Sequence, residues 1–258
     1  MREFLEDALN HRDDGYGRAQ KHMQRELPKR FYKIVAVAQV GSGYTVTLDG
    51  RQIKTPTKKA VTVASRELAE TMRTEWDGQG THVDPDLMPH VRLVNSAIEG
   101  GEEAREALID EVVKYAANDL LLYRADSPRE LAALQEDVWD SVLVKIARHF
   151  SVSFRPTVGI LHQEQPVETQ EKLKISLASV DFMSAAALVS MTGIMGSGLL
   201  TIAMLEGLID PETAWRAAHV DEDYQIAHWG EDFEAAKRRE KRKIEFDAAV
   251  NVMRWLAG

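Results

Sequence analysis

"RFYKIVAVAQVGSGYTVTLDGRQIKTPTKKAVTVAS", residues 30–65, carries one period and ends where it gives way to another. Tyr44, Val46 and Leu48 alternate with Thr45, Thr47 and Asp49, the period-2 pattern of a strand with one buried face. The triplet Gly41–Gly43 between two β-branched runs is hairpin chemistry. "RQIKT" and "KAVTVA" continue the texture, so four short strands in a meander are expected between residues 31 and 64. At Ser65 the period changes. Ser65 can cap a helix whose apolar stripe is Leu68, Ala69, Met72 and Trp76.

Downstream, "DPDLMPH" reads as a turn leading into a helix around Val91–Ile98. Past Gly100–Gly101 nearly every segment has a helical period. Ser127-Pro128 places a cap and a first-turn proline before Leu131, Leu134, Val138, Trp139, Val142 and Ile146. Asp210-Pro211 repeats the device before Trp215 and Ala218, and "SVSFRP" is a short extended excursion. Upstream, residues 1–29 are polar and lack a sustained period; they read as an arm with one short helix at Phe4–Leu9. The expected class is α+β: a small β-rich N-terminal domain followed by a larger all-helical C-terminal domain. The expected boundaries are 1–29, 30–100 and 101–258.

Composition narrows the function. The 258 residues carry a net charge of −9, which argues against a general binder of nucleic-acid phosphates. Cysteine is absent, so disulfides, thiol nucleophiles and cysteine-bound metals are excluded. The most apolar stretch, Phe182 to Leu208, is interrupted by Gly193, Gly196, Ser197 and Gly198, and is no spanning helix. The start, "MREFLEDALNHRDDGYG", is too acidic for a secretory or transit peptide, and a bacterial cytoplasmic setting is expected.

Catalytic patterns are scarce. The chain has no G-x-x-x-x-G-K-[ST] loop, no H-E-x-x-H and no G-x-S-x-G. "GSG" at 41–43 belongs to a hairpin, and "GIMGSG" at 193–198 fits a tight turn or close packing between apolar helices. No cofactor is expected. His219 with Glu222, and His228 with Glu231, each place an imidazole and a carboxylate one helical turn apart. That spacing supports an alternative reading as a small helical metalloenzyme; ordinary pairing on a helix surface is the simpler one. The methionine-rich "FMSAAALVSMTGIMGSGLLTIAML" is read as buried core rather than as an adaptable surface.

One more segment resembles a nucleic-acid tail. Between Glu231 and Asp247 lie six acids (Glu231, Asp232, Glu234, Glu240, Glu245, Asp247) and six bases (Lys237, Arg238, Arg239, Lys241, Arg242, Lys243). Local neutrality weakens the alternative of a nucleic-acid-binding module at 237–243. At 100° per residue, Phe233, Ala236, Ile244, Ala248, Val252 and Trp255 form one stripe, and Glu240 falls inside it. A carboxylate there needs an ion pair with another helix, or it stays wet and available to a partner.

Taken together, several strings follow the order and spacing of one family. They are "RFYK…Y.VTLDGR.IKTP", "LA…EWD.Q…DP..MP", "DLLLYRA..P.EL..LQ" and "E.YQIAHWGEDFEA". The chain resembles, from about Arg30 to about Glu240, the ATP synthase assembly chaperones that bind the free alpha subunit. The resemblance implies a β-rich domain joined to a helical one, no enzymatic activity, and the alpha subunit as partner. Such chaperones mask alpha until the beta subunit replaces them; eukaryotic members are mitochondrial. With the helical phase, it points to a client-binding surface centred on Glu240, with Trp229 and Glu231 near its edge.

Overall fold

A computed structural model describes residues 27–256. The expected polar arm and its helix at Phe4–Leu9 lie outside the described residues, apart from the last positions before Arg30. The sheet is antiparallel, with β1 (Val35–Val40), β2 (Gly43–Leu48) and β3 (Arg51–Gln52) in that order. Val35 faces Leu48 and Val40 faces Gly43, so the turn at Gly41 (φ 60°) sets the register. Asp49 and Gly50, at φ 48° and 79°, form the second turn with the two positive φ values of a type I′ hairpin.

The expected fourth strand is not a strand. "KAVTVA" joins the sheet only through isolated bridges, Lys54 to Ala60 and Tyr44 to Val63. Its reading as β was driven by Val61 and Val63, which are buried. The backbone of Gly43 comes so close to Thr62 that a Cβ there would meet its methyl at 2.7 Å.

Helix α1 (Arg66–Asp77) starts where the period changes, with the Ser65 hydroxyl accepting from the Leu68 amide at 3.2 Å. Leu68, Ala69 and Met72 are buried as its stripe requires, and Trp76 is half-buried. After a 3-10 turn at Pro85–Leu87 comes α2 (Pro89–Ala117), broken at Gly101 (φ 61°, ψ −168°), a conformation open to glycine alone. The remaining helices are α3 (Arg129–Phe150), α4 (Val167–Ser176), α5 (Phe182–Met195), α6 (Gly198–Leu205), α7 (Pro211–Ala218), α8 (Val220–Trp229) and α9 (Phe233–Leu256).

Two start signals behave differently. Asp210 caps α7 through the Thr213 amide with Pro211 in the first turn, as expected. At α3 the cap position is Pro128 itself, and no side chain caps the helix. Ser127 sits one position too early to reach the free amides. The helical half also holds one departure, a two-residue parallel ladder between β4 (Tyr123–Arg124) and β5 (Thr157–Val158), just after the predicted extended excursion.

The chain divides into two compact units. One runs to Glu103 and includes Phe182–Ala187 and the chain from Asp247 onward; the other comprises Ala104–Asp181 and Leu188–Phe246. The first has a core of Val46, Leu48, Ile53, Leu68, Met72 and Val94. The second is built on Leu121, Trp139, Ile146, Leu188, Met191, Leu199 and Leu200, so the methionine-rich segment is core.

Candidate binding surface

The second unit positions α8 and α9 from the inside. Trp139 on α3 is buried and donates its indole N–H to the Ala217 carbonyl at 2.7 Å. Beside it, buried Gln135 donates to Asp221 Oδ1 at 2.7 Å. The short link between the helices follows from its residues. Gly230, at φ 85°, ends α8 with its N–H on the Ile226 carbonyl, and Asp232 caps α9 by accepting the Ala235 amide at 2.8 Å.

Three bases of the run meet acids of the same chain. Arg239 Nη1 lies 2.5 Å from Asp223 Oδ1, and Arg242 Nη2 lies 2.9 Å from Glu222 Oε2. Lys243 Nζ is 4.0 Å from Glu212 and 5.7 Å from the ring centres of both Trp215 and Phe246. Carboxylates on α7 and α8 engage these three cations, which weakens the nucleic-acid reading.

The apolar stripe drawn at 100° per residue is covered only in its second half. Ala248 and Val252 are buried, whereas Phe233 is 77% exposed and Ile244 51% exposed. Glu240 is exposed with them and is no internal ion-pair partner among the described residues. Phase alone could not foresee this. A helix has two candidate faces, and here the N-terminal half of α9 turns Arg239 and Arg242 toward α8, on the face that Phe246 buries one turn further on.

Trp229, at the end of α8, is 76% exposed, and Glu231 is exposed in the link. Tyr224 and His228 stack at 4.0 Å, and the Trp229 ring stands edge-on to Tyr224 at 6.5 Å. Trp229, Glu231 and Phe233 thus lie within five residues of one another. Glu240 and Ile244 continue from Phe233 along one face of α9, two and three turns on.

Of the two spaced imidazole–carboxylate pairs, His219 Nε2 lies 3.9 Å from Glu222 Oε2. His219 is buried, donates or accepts through Nδ1 at the Trp215 carbonyl (2.7 Å), and packs on the Trp215 ring at 4.0 Å. Burial holds its imidazole below the usual histidine range. His228 Nδ1 lies on the Tyr224 carbonyl at 2.8 Å. Among the described residues, no three side chains of the metal-ligating kinds are grouped to hold an ion.

The residue that motif reading missed is Asp119. It is wholly buried, and its carboxylate takes the Leu121 amide (3.1 Å), the Ser197 hydroxyl (2.7 Å) and the Leu199 amide (2.8 Å). Ser197 in turn caps α6 through the Leu200 amide. The signal was present in the pairing of "ND" after α2 with "GSG" before α6, but nothing local says that they meet.

Comparison with known proteins gives one consistent result. A family model described as ATP12 chaperone protein matches residues 29–147. The mitochondrial protein atp12 of Schizosaccharomyces pombe is 26% identical over 214 residues, 78% of this chain and 74% of that protein. A solved structure of the Atu1473 protein, a putative chaperone from Agrobacterium tumefaciens, is 41% identical with a TM-score of 0.85, covering 98% of this chain and 95% of that one. Atp12 from Paracoccus denitrificans is 30% identical with a TM-score of 0.80, covering 88% of this chain and 98% of the other.

Proposed function

We propose, from the premise that this chain belongs to the ATP12 chaperone family and is a chaperone of ATP synthase assembly, that its client is the free alpha subunit. The chaperone covers the alpha surface that later meets beta and is displaced when beta arrives. The carrying observation is the exposed strip of Trp229, Phe233 and Ile244 around Glu240 on α8 and α9. Large aromatics with so much free surface are typical anchors of a protein interface. Glu240 beside them selects a client that offers a cation or free backbone amides.

Exchange needs no fuel under this reading. The native beta subunit buries more area on alpha than the chaperone and wins by mass action. The family's role is that of a chaperone rather than an enzyme. A bacterial cytoplasm is the setting we favour, since the solved structures it resembles come from Agrobacterium and Paracoccus, while the fission-yeast relative is mitochondrial. No helix among the described residues is long and apolar enough to cross a membrane.

The test is light scattering of isolated alpha subunit diluted to an aggregating concentration. Stoichiometric amounts of this chain should keep it soluble without nucleotide. Aggregation that proceeds unchanged, or suppression that requires ATP hydrolysis, rules the reading out.

A further inference from the structure

We propose that Arg239 and Arg242 are positioning residues that hold the first half of α9 against α8 and so present the client strip. The inference rests on the reading above that the strip is the client surface. Between Phe233 and Glu245 no residue of α9 is buried; the first buried position is Phe246. The rotation of α9 is set from Phe246, which is buried against Trp215 on the face that also carries Arg239 and Arg242, but no buried side chain fastens the half before it to α8. The contacts that fasten it are polar. The first turn of α8 carries three consecutive acids, and each has a different partner. Asp221 is held by Gln135 of α3, Glu222 by Arg242 and Asp223 by Arg239.

Successive helical residues fan out by 100°, so three in a row reach in two directions. One acid ties α8 inward to α3, and the other two clamp α9. Arg239 and Arg242 are one turn apart on α9, the spacing needed for both to meet a single neighbouring helix. With both seated, Phe233, Glu240 and Ile244 point away from α8, as their exposure shows. Partly exposed ion pairs contribute little to global stability, so their loss leaves the fold standing while loosening this half of α9.

The decisive set is Arg239→Asp, Asp223→Arg and the two combined, with Glu240→Lys as reference. Affinity for isolated alpha subunit, melting temperature and amide hydrogen exchange across residues 233–245 are measured on the full chain. Each single change should weaken alpha binding by about tenfold, speed exchange in 233–245 and leave melting nearly unchanged, and the combined variant should recover most of the binding. Singles that bind alpha like the parent overturn the inference, as does a combined variant no better than the singles. A single variant that melts outright also overturns it, because the pair would then be holding the core. Glu240→Lys separates the two levels. If it abolishes binding while the ion-pair singles do not, the client surface stands and the positioning role falls; if it too binds normally, both fall.

Discussion

The Asp119 carboxylate accepts the Ser197 hydroxyl at 2.7 Å in a site with no exposure to solvent, and through it the turn after α2 is tied to the start of α6. The residues are far apart in sequence, yet both serve the same helix N-terminus, where unpaired amides and the helix dipole favour an anion. Burial nonetheless dominates and pushes the carboxyl up to about 7.

That value makes a pH prediction. Because the folded pKa lies above the unfolded one, the folded state holds the proton more tightly, and the Asp119 contribution to stability falls as pH rises from about 4 to about 7. His219, held below its usual range, works the opposite way at the upper end of that window, so the comparison must be with a variant. Asp119→Asn should lose roughly 1–3 kcal/mol from one mismatched donor, while its stability changes less between pH 4.5 and 7.5 than the parent's, a window of about three units around the cited pKa. Urea melts at the two pH values check it. Equal pH dependence in both proteins would show that Asp119 does not titrate there.

Gly198 is a packing requirement. A Cβ on it would lie 2.3 Å from the Val112 carbonyl oxygen and 2.7 Å from the Ala116 amide nitrogen, both backbone atoms that cannot step aside. Gly198→Ala should destabilise by about 3 kcal/mol or more, at the upper end of overpacking costs. Thermal melts decide it, and a shift of only a degree or two would mean the helices slide freely.

At Glu240 the expected effect is on binding alone. Both Glu240→Gln and Glu240→Lys remove an exposed carboxylate, so stability should stay within about 0.5 kcal/mol of the parent. Binding to alpha should weaken in both, more in the lysine variant. Normal binding by the lysine variant would remove Glu240 from the client site.

Trp229→Ser combined with Phe233→Ser should leave circular dichroism and melting unchanged, since both rings are mostly solvated. Protection of alpha against aggregation should drop by more than tenfold, the loss expected when two aromatic anchors are removed. Undiminished protection would place the client elsewhere.

Much of the architecture was legible along the chain because its signals are local. A hairpin at Gly41–Gly43, a serine cap at Ser65 and an aspartate–proline start at 210–211 each act through neighbours within a few residues. The weak points were also local in origin. Val61 and Val63 look like strand, but their segment pairs only through single bridges at Ala60 and Val63, and Ser127 looks like a cap but is one position early.

Amino-acid order alone settled the α+β class, the buried methionine-rich hairpin and the family likeness, since periodicity and motif order are properties of the linear chain. It also drew attention to Glu240 by its phase. Which of α9's two faces turns inward was settled in three dimensions, by Phe246 packing on Trp215 and by Asp223 and Glu222 meeting Arg239 and Arg242. The Asp119–Ser197 tie belongs to the same kind. Helical phase fixes which side chains share a face, but the partner across space chooses the face, and that partner is set by packing between segments distant in sequence.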